Sequence, residues 1–220
     1  MKNVVIIAPH PDDETLGAGG TLLKHCDSKD NVYCVFVTNI DEQHGFSKEK
    51  VQERQQEIEE VAKLYNFADF YKLNYPTATL TPNDIPDLIK DFSDIFKKIK
   101  PQIVYLPYKN DVHSDHRIIF DAAYSCTKSF RCPSIESVLM YETISETEFS
   151  SENNFKPTFF VNIENYLDKK TEIMKIYASE VQKAPMPRSV ENIKALATYR
   201  GAAINRKYAE SFEVIKTINF

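Results

Sequence analysis

Two short segments of the chain concentrate side chains that can bind a metal ion. The first is His10–Glu14 (HPDDE), and the second is His113–His116 (HSDH), about a hundred residues later. Adjacent carboxylates repel one another unless a cation or the positive end of a helix compensates their charge. Imidazole and carboxylate groups together form a usual ligand set for zinc. The sequence therefore predicts a divalent cation held between these two segments.

The spacing within the first segment gives its residues different tasks. In a tight turn, residues i and i+3 lie close together, so His10 and Asp13 can bind one ion while Asp12 projects elsewhere and stays free. Pro11 stiffens the turn. Glu14 is expected to cap the following helix or to support the site from behind. The alternative for the whole segment is a turn whose acidic residues only cap that helix.

The second segment supplies what the first one lacks. His116 would complete a site of two histidines and one carboxylate, which leaves a coordination position for water. His113 is then expected to face the substrate. Asp115 is expected to orient an imidazole ring by accepting its N–H, and the neighbouring Asp111 is expected to shape the loop.

The surrounding pattern predicts elements that bring the two segments together. Short apolar runs predict strands over Val4–Ala8, Asn31–Thr38, Asp69–Leu73 and Gln102–Leu106. Amphipathic stretches between them predict helices over Thr15–Cys26, Ser47–Tyr65 and Pro82–Ile99. This alternation indicates an α/β fold, a Rossmann-like doubly wound and mainly parallel sheet with helices on both faces. Ligands bind such sheets at the carboxyl ends of the strands, so both segments should open on one edge.

The pattern continues less regularly after the second segment. It predicts a helix over Asp115–Lys128, strands over Ser137–Glu142 and Phe159–Ile163, and helices over 164–182 and 189–199. Polar and proline-containing stretches predict loops over Ser145–Lys156 and Lys183–Arg188. We interpret residues 1–220 as a single domain. Within it, residues 1–142 form the core with the metal site, and residues 143–220 cover the site and contribute to substrate choice.

Composition excludes several other classes of protein. A chain of 220 residues with 42% hydrophobic residues can bury a core of its own. A net charge of -5 argues against a nucleic-acid partner. The four cysteines form no C-x-x-C pair, which argues against a thiolate zinc site. No stretch approaches the roughly 20 apolar residues that span a bilayer, so we predict a cytoplasmic protein.

At the two segments the chain resembles the PIG-L/LmbE family of de-N-acetylases. That family includes enzymes that act on N-acetylglucosaminyl lipids and on N-acetylglucosaminyl malate or inositol. Its A-H-P-D-D-E-like and H-x-D-H-like motifs correspond to Pro9–Glu14 and His113–His116 in this chain. Weaker similarities extend along the long helix and the tail 200–212. Family members often have Ser-Gln where this chain has Ser179-Glu180.

The resemblance implies a role for each of these residues. The implied metal ligands are His10, Asp13 and His116, with Zn²⁺ as the metal, although Fe²⁺ suits the same ligands. Asp12 would be the general base. His113 would stabilise the oxyanion or protonate the leaving amine, and Asp115 would tune His113. Arg54 would contact substrate hydroxyls, whereas its residue type alone equally fits a surface arginine paired with Glu57.

The predicted function is therefore a zinc-dependent hydrolase that removes an acetyl group from an N-acetylated small molecule, such as an N-acetylglucosamine-type sugar or conjugate. Two alternatives remain open at this point. One is a metal-dependent phosphoesterase, because Asp/His clusters also build two-metal sites. The other is a non-catalytic binding protein on the same fold. Arg188 and Arg200 are expected on the surface or at an anionic part of the substrate, and a homo-oligomer is left open.

Overall fold

The structure, a computed structural model, describes residues 1–151 and 154–218 of the chain. The strands are β1 (Asn3–Ala8), β2 (Asn31–Asn39), β3 (Asp69–Pro76), β4 (Ile103–Pro107), β5 (Ser137–Tyr141), β6 (Phe159–Asn162) and β7 (Ala209–Thr217). The α-helices are α1 (Asp13–Asp27), α2 (Lys48–Tyr65), α3 (Ile85–Ile99), α4 (Ser114–Cys126), α5 (Leu167–Met174) and α6 (Val190–Ala202). None of these helices is long and apolar enough to cross a membrane.

The strands form a seven-stranded sheet in the order β3-β2-β1-β4-β5-β7-β6. Strands β1 to β5 run parallel, whereas β7 is antiparallel to both β5 and β6. The chain leaves β1 toward β2 and β3 and later returns to the other side of β1 as β4. The predicted doubly wound α/β fold is therefore confirmed, and its topological switch point lies between β1 and β4.

The apolar run of β1 is continuous because helices cover both faces of the sheet. Val5 and Ile7 pack into a core that includes residues of α3 and α4, such as Phe92. Val4 and Ile6 pack on the opposite face with residues of α1, α2 and α5. All four are fully buried, as is typical of a central parallel strand.

Helix α1 packs close to the sheet. This contact positions the N-terminal end of α1, which includes Asp13 and Glu14 of the first segment. A Cβ atom on Gly17 would lie 2.1 Å from the Cδ2 atom of Tyr141, so only glycine allows this approach. The Tyr141 hydroxyl crosses to β1 and donates to the carbonyl of Ile7 at 2.8 Å. The first turn of α1 is thereby held next to the carboxyl end of β1.

The predicted helix over 164–182 is wrong in its second half. Helix α5 ends at Met174, and the chain continues through turns. The Tyr177 hydroxyl donates to Glu14 at 3.0 Å, and the N–H of Ala178 donates to Glu57 at 3.0 Å. These contacts with the first segment and with α2 outweigh the local helical propensity of the stretch. The predicted loop Ser145–Lys156 contains a 3₁₀ turn at Thr147–Phe149, and its residues 152 and 153 lie outside the described residues.

Strand β7 is the element that the sequence did not reveal. It begins with four buried residues, Ala209–Phe212, two of which are polar, so it lacks the alternation of a half-exposed strand. Glu210 is buried because it accepts from the N–H groups of Gly20 and Thr21 at 2.8 and 2.7 Å and from the ammonium of Lys170 at 2.7 Å. This network ties β7 and α5 to the middle of α1.

Candidate metal centre

The two predicted segments meet at the carboxyl ends of neighbouring strands. His10 follows β1, His116 lies in the first turn of α4 after β4, and β1 pairs directly with β4. Thr38, near the end of β2, donates both its N–H and its hydroxyl to the carbonyl of Pro9 at 2.9 Å. The loop after β1 is therefore anchored to the end of β2, next to the switch point.

Three ligand atoms of His10, Asp13 and His116 converge into a nearly equilateral triangle. Asp13 Oδ2 lies 3.3 Å from His10 Nδ1 and 3.2 Å from His116 Nε2, and the two ring nitrogens are 3.3 Å apart. Bonds of about 2.0–2.1 Å in a tetrahedral zinc site place neighbouring ligand atoms about 3.3–3.4 Å apart. The spacing of these side chains thus fits one tetrahedral ion, with a fourth position left for water or substrate.

In His10 and in His116, the ring nitrogen that points away from the triangle contacts a carboxylate. His10 Nε2 lies 3.2 Å from Asp115 Oδ2, and His116 Nδ1 lies 2.8 Å from Asp111 Oδ2. Asp111 is fully buried and also accepts from the Thr147 hydroxyl at 2.6 Å. Metal-binding histidines are usually oriented in this way. Asp111, which the sequence suggested only as a loop-shaping residue, is therefore a strong candidate to orient His116.

Asp115 connects the centre to the loop after β3. Its carboxylate accepts from the N–H groups of Ala78 at 2.7 Å and Leu80 at 3.2 Å, in addition to its contact with His10. Its contact with His113 runs the other way, because the backbone N–H of Asp115 donates to His113 Nδ1 at 3.2 Å. The predicted tuning of His113 by the Asp115 carboxylate stays a prediction.

The carboxylates of the centre favour positively charged groups between them. Burial lowers the pKa of His10, but the carboxylates of Asp115 and Asp13 outweigh burial and raise it to about 9. Burial would raise the pKa of Asp13, yet His116 and His10 hold it far below its usual range. Carboxylates that stabilise protonated imidazoles in this way would also stabilise a bound cation.

A second ligand group overlaps the first. His10, His113 and Asp115 offer ligand atoms within 4.8 Å of one another. The rings of His10 and His113 meet edge to face with centroids 4.5 Å apart. Both groups use His10, and in the group with Asp13 and His116 all three distances between ligand atoms are 3.2–3.3 Å. The geometry accordingly favours one ion over two.

Asp12 has a backbone conformation that other residues must maintain. Its φ is 135°, in a region that non-glycine residues rarely adopt. Its N–H donates to Glu14 Oε2 at 3.1 Å. Glu14 is fully buried and accepts in turn from the hydroxyls of Thr15 at 2.6 Å and Tyr177 at 3.0 Å. Glu14 therefore supports the centre from behind, as its position in the sequence suggested.

The side chain of Asp12 is held by an arginine from the C-terminal part of the chain. Arg188 Nη1 donates to Asp12 Oδ2 at 3.1 Å and to Glu180 Oε2 at 2.8 Å. Burial raises the pKa of Asp12 well above its usual value, and the charges of Asp13 and Glu180 add to this effect while Arg188 opposes it. Sequence reasoning did not connect Arg188 with Asp12, since the two are 176 residues apart.

Arg54 is buried rather than solvated. Its Nη1 donates to the carbonyl of Pro11 at 3.2 Å, and its Nη2 donates to Ser179 Oγ at 2.7 Å and to Glu180. Its Nε lies 3.0 Å from a carboxylate oxygen of Glu57. Arg54 thus joins the first segment to the turn at residues 179–180. Its predicted contact with substrate hydroxyls stays a prediction.

His113 is a neutral hydrogen-bond donor at the edge of the centre. Burial, together with the charges of His10 and His116, lowers its pKa to about 4. Because its Nδ1 accepts from the N–H of Asp115, the ring proton belongs on Nε2. An imidazole in this form can donate to a substrate oxygen without carrying a charge.

A cleft of about 250 Å³ opens above these groups. Five of the predicted site residues line it: His10, Asp12, Asp13, Arg54 and His113. His116 and Asp115 are fully buried beneath it. The cleft therefore combines a candidate cation site, a buried carboxylate and an imidazole donor, which together can activate water and stabilise developing negative charge.

Fold and site together define a doubly wound α/β protein with a histidine–aspartate cation site at its switch point. Comparison with known families agrees with this class. The model of the family described as "PIG-L: GlcNAc-PI de-N-acetylase" matches residues 5–127. The chain belongs to the PIG-L family.

Several relatives are similar along almost the whole chain. Diacetylchitobiose deacetylase of Thermococcus kodakarensis is 24% identical over 232 residues, which cover 99% of this chain and 85% of that protein. The structure of N,N'-diacetylchitobiose deacetylase from Pyrococcus horikoshii has a TM-score of 0.74 and 24% identity, and the match covers 98% of this chain and 84% of that one. The conserved protein TT1542 from Thermus thermophilus has a TM-score of 0.79 and 25% identity, with 100% and 97% covered.

Proposed function

We propose that this protein is a metal-dependent deacetylase that removes the acetyl group from an N-acetylated sugar of the N-acetylglucosamine type or from a conjugate of such a sugar. The convergence of His10 Nδ1, Asp13 Oδ2 and His116 Nε2 supports this most directly, because it provides a ligand set at 3.2–3.3 Å next to the carboxylate of Asp12, which lines the same cleft. The family match and the relatives that are named as deacetylases support the same reaction.

The proposed ligands of the metal are His10, Asp13 and His116. Nitrogen and carboxylate ligands in this number suit Zn²⁺ and also Fe²⁺. A divalent cation bound there supplies polarisation of the acetyl carbonyl and lowers the pKa of a water molecule. Asp111 and Asp115 would keep the two rings oriented through their outward nitrogens.

The remaining steps belong to the side chains of the cleft. Asp12 accepts the proton of the attacking water. The guanidinium of Arg188 and the hydrogen bond from the N–H of Asp12 to Glu14 orient Asp12 for this step. His113 donates from Nε2 to the oxyanion that forms on the acetyl carbon. Since His113 is neutral and its Nδ1 is occupied, we assign the return of the proton to the leaving amine to Asp12.

The C-terminal part is proposed to complete this cleft. Glu146, Glu180 and Arg188 line it from residues beyond 142, which supports a role of residues 143–220 in covering the site and choosing the substrate. Arg54, which lines the same cleft next to Glu180, would meet substrate hydroxyls. The cytoplasmic location stays a prediction, and whether the chain forms a homo-oligomer stays open.

A two-metal phosphoesterase is less well supported. Such enzymes hold two ions about 3.5–4 Å apart. The two candidate ligand groups of the described residues share His10, and His113 binds the N–H of Asp115 through one ring nitrogen. For His113 to bind a second ion through either nitrogen, its Nδ1 would have to give up that hydrogen bond, because a neutral ring that accepts at Nδ1 carries its proton on Nε2.

Acetate release from N-acetylglucosamine and N,N'-diacetylchitobiose by the zinc-loaded protein tests the proposal. Asp12→Asn keeps the size of the side chain and should retain bound zinc, while turnover falls by about 10²–10⁴-fold because the base is lost. His10→Ala should lose zinc as well as activity. Asp27→Asn, on an exposed residue at the end of α1, should behave as wild type. Near-normal turnover in Asp12→Asn would show that another group is the base.

A further inference from the structure

A second cavity, larger than the metal cleft, lies beside it. Its volume is about 600 Å³, compared with about 250 Å³ for the cleft. Pro187 lines the large cavity and the next residue, Arg188, lines the cleft, so one segment forms a wall of both. A small gap is lined both by Leu16, which also faces the cleft, and by Leu196, which also faces the large cavity. The two openings are therefore neighbours, with the segment that carries Pro187 and Arg188 between them.

The walls of the large cavity are mainly apolar. They include Ile144, Phe155, Pro185, Pro187, Leu196 and Tyr199. Tyr199 is 69% exposed. Met186, which lies between Pro185 and Pro187 in the chain, is 51% exposed. Apolar surface that stays open beside a reactive cleft is typical of a ligand-binding site.

The one cation that lines the large cavity in the described part of the chain is already paired with a carboxylate of the protein. Arg200 is the only cation among the described residues that line it, and its Nε and Nη2 donate to the carboxylate of Glu142 at 2.8 and 2.6 Å. The Ser211 hydroxyl also donates to Glu142, at 2.7 Å. The guanidinium lies 5.9 and 5.3 Å from the ring centroids of Phe155 and Tyr199. A phosphate or carboxylate would thus compete with an existing ion pair.

We propose that this cavity binds an uncharged, apolar aryl or alkyl group that the substrate carries next to its N-acetylated sugar. The inference rests on the proposed deacetylation and adds its substrate class, a hydrophobic conjugate rather than an oligosaccharide or a nucleotide-linked sugar. A second sugar ring would bury some of its hydroxyls against the apolar residues of the wall, which is costly because those residues offer no hydrogen-bond partners. A diphosphate would also face the acidic side chain of Glu148.

The test compares the phenyl and methyl β-glycosides of N-acetylglucosamine. Because a phenyl ring gains from burial whereas a methyl group hardly does, kcat/KM for acetate release should be about tenfold higher for the phenyl glycoside. N,N'-diacetylchitobiose and a uridine-diphosphate-linked N-acetylglucosamine should show no such gain. A gain for either of these two compounds in place of the phenyl glycoside would overturn the inference.

A matched pair of variants on α6 locates the effect. Ala195 is exposed and lines the cavity, so Ala195→Trp should occupy part of it and remove the tenfold gain while the methyl glycoside reacts as before. Thr198, exposed on the same helix and outside the described lining, gives the control Thr198→Trp, which should keep the gain. Persistence of the gain in Ala195→Trp would place the phenyl group elsewhere and contradict the inference.

Calorimetric binding of the two glycosides to the zinc-loaded protein separates this inference from the proposed function. If neither glycoside releases acetate, the proposed function fails, whereas a tenfold tighter binding of the phenyl glycoside that is lost in Ala195→Trp still supports the cavity. Equal binding of both glycosides overturns the inference even if acetate is released. If binding is equal and Ala195→Trp dissociates an oligomer, the face is a contact between copies and the inference is wrong.

Discussion

Replacement of Asp111 by asparagine tests whether His116 binds a cation. Asp111 lies outside the proposed ligand set and is fully buried, with Oδ2 at 2.8 Å from His116 Nδ1. Asparagine keeps the shape and one acceptor oxygen but removes the negative charge that makes the imidazole a better ligand. Loss of such a partner lowers metal affinity by about 10–100-fold, or about 1.4–2.8 kcal/mol. The effect should reach the metal only through His116.

Competition with a chromophoric chelator would measure zinc affinity in Asp111→Asn, with circular dichroism to confirm the fold. Thr147→Val is the matched control, because it removes the 2.6 Å hydroxyl contact to Asp111 and leaves the charge in place. This control also leaves the N–H of Thr143 without its acceptor, so we expect it to lose about 1–3 kcal/mol of stability with little change in affinity. A folded Asp111→Asn protein with affinity within about threefold of wild type would refute the assignment of His116. An equal loss in both variants would trace the effect to the shape of the loop rather than to charge.

Three further substitutions probe the centre and its supports. His113→Ala should lower kcat by about 10²–10³-fold with bound zinc unchanged, because it removes a donor to the oxyanion; a smaller effect in acetate-release kinetics would argue against that role. Gly17→Ala should lower the melting temperature, since overpacking against Tyr141 costs about 1–3 kcal/mol, and an unchanged melting temperature would mean that the ring moves freely. Lys170→Met should destabilise by about 3–5 kcal/mol in urea unfolding by leaving the Glu210 carboxylate buried and unpaired, and the double variant with Glu210→Gln should recover part of this loss.

The parallel half of the fold could be predicted because its sequence pattern is local. The run Val4–Ala8 is apolar at every position since both faces of β1 are covered, and Ser47 caps α2 by accepting from the N–H of Lys50. Strand β7 could not be predicted in this way. Its residues Glu210 and Ser211 look like surface residues, and their burial depends on partners such as Lys170, 40 residues away.

In the candidate site, too, the residues in short motifs could be predicted, whereas contacts between distant parts of the chain could not. The placement of His10 and His116 within 3.3 Å follows from two motifs at the ends of predicted strands, together with the rule that ligands bind at the switch point. The contacts of Arg188 with Asp12 and of Asp111 with His116 do not follow, because they depend on how loops fold over the sheet. The turn that carries Glu180 was predicted as helix, which hid its approach to Arg54.

The strained backbone of Asp12 indicates how the supports of the centre act together. A non-glycine residue with φ of 135° costs about 1–3 kcal/mol and persists only where its surroundings enforce it. The N–H of Asp12 is bound by Glu14, which is itself fixed by Tyr177 from the turn after α5. The carboxylate of Asp12 is bound by Arg188, from a later part of the chain. The proposed general base is therefore oriented by the C-terminal part, although both candidate metal-binding segments lie within residues 1–142.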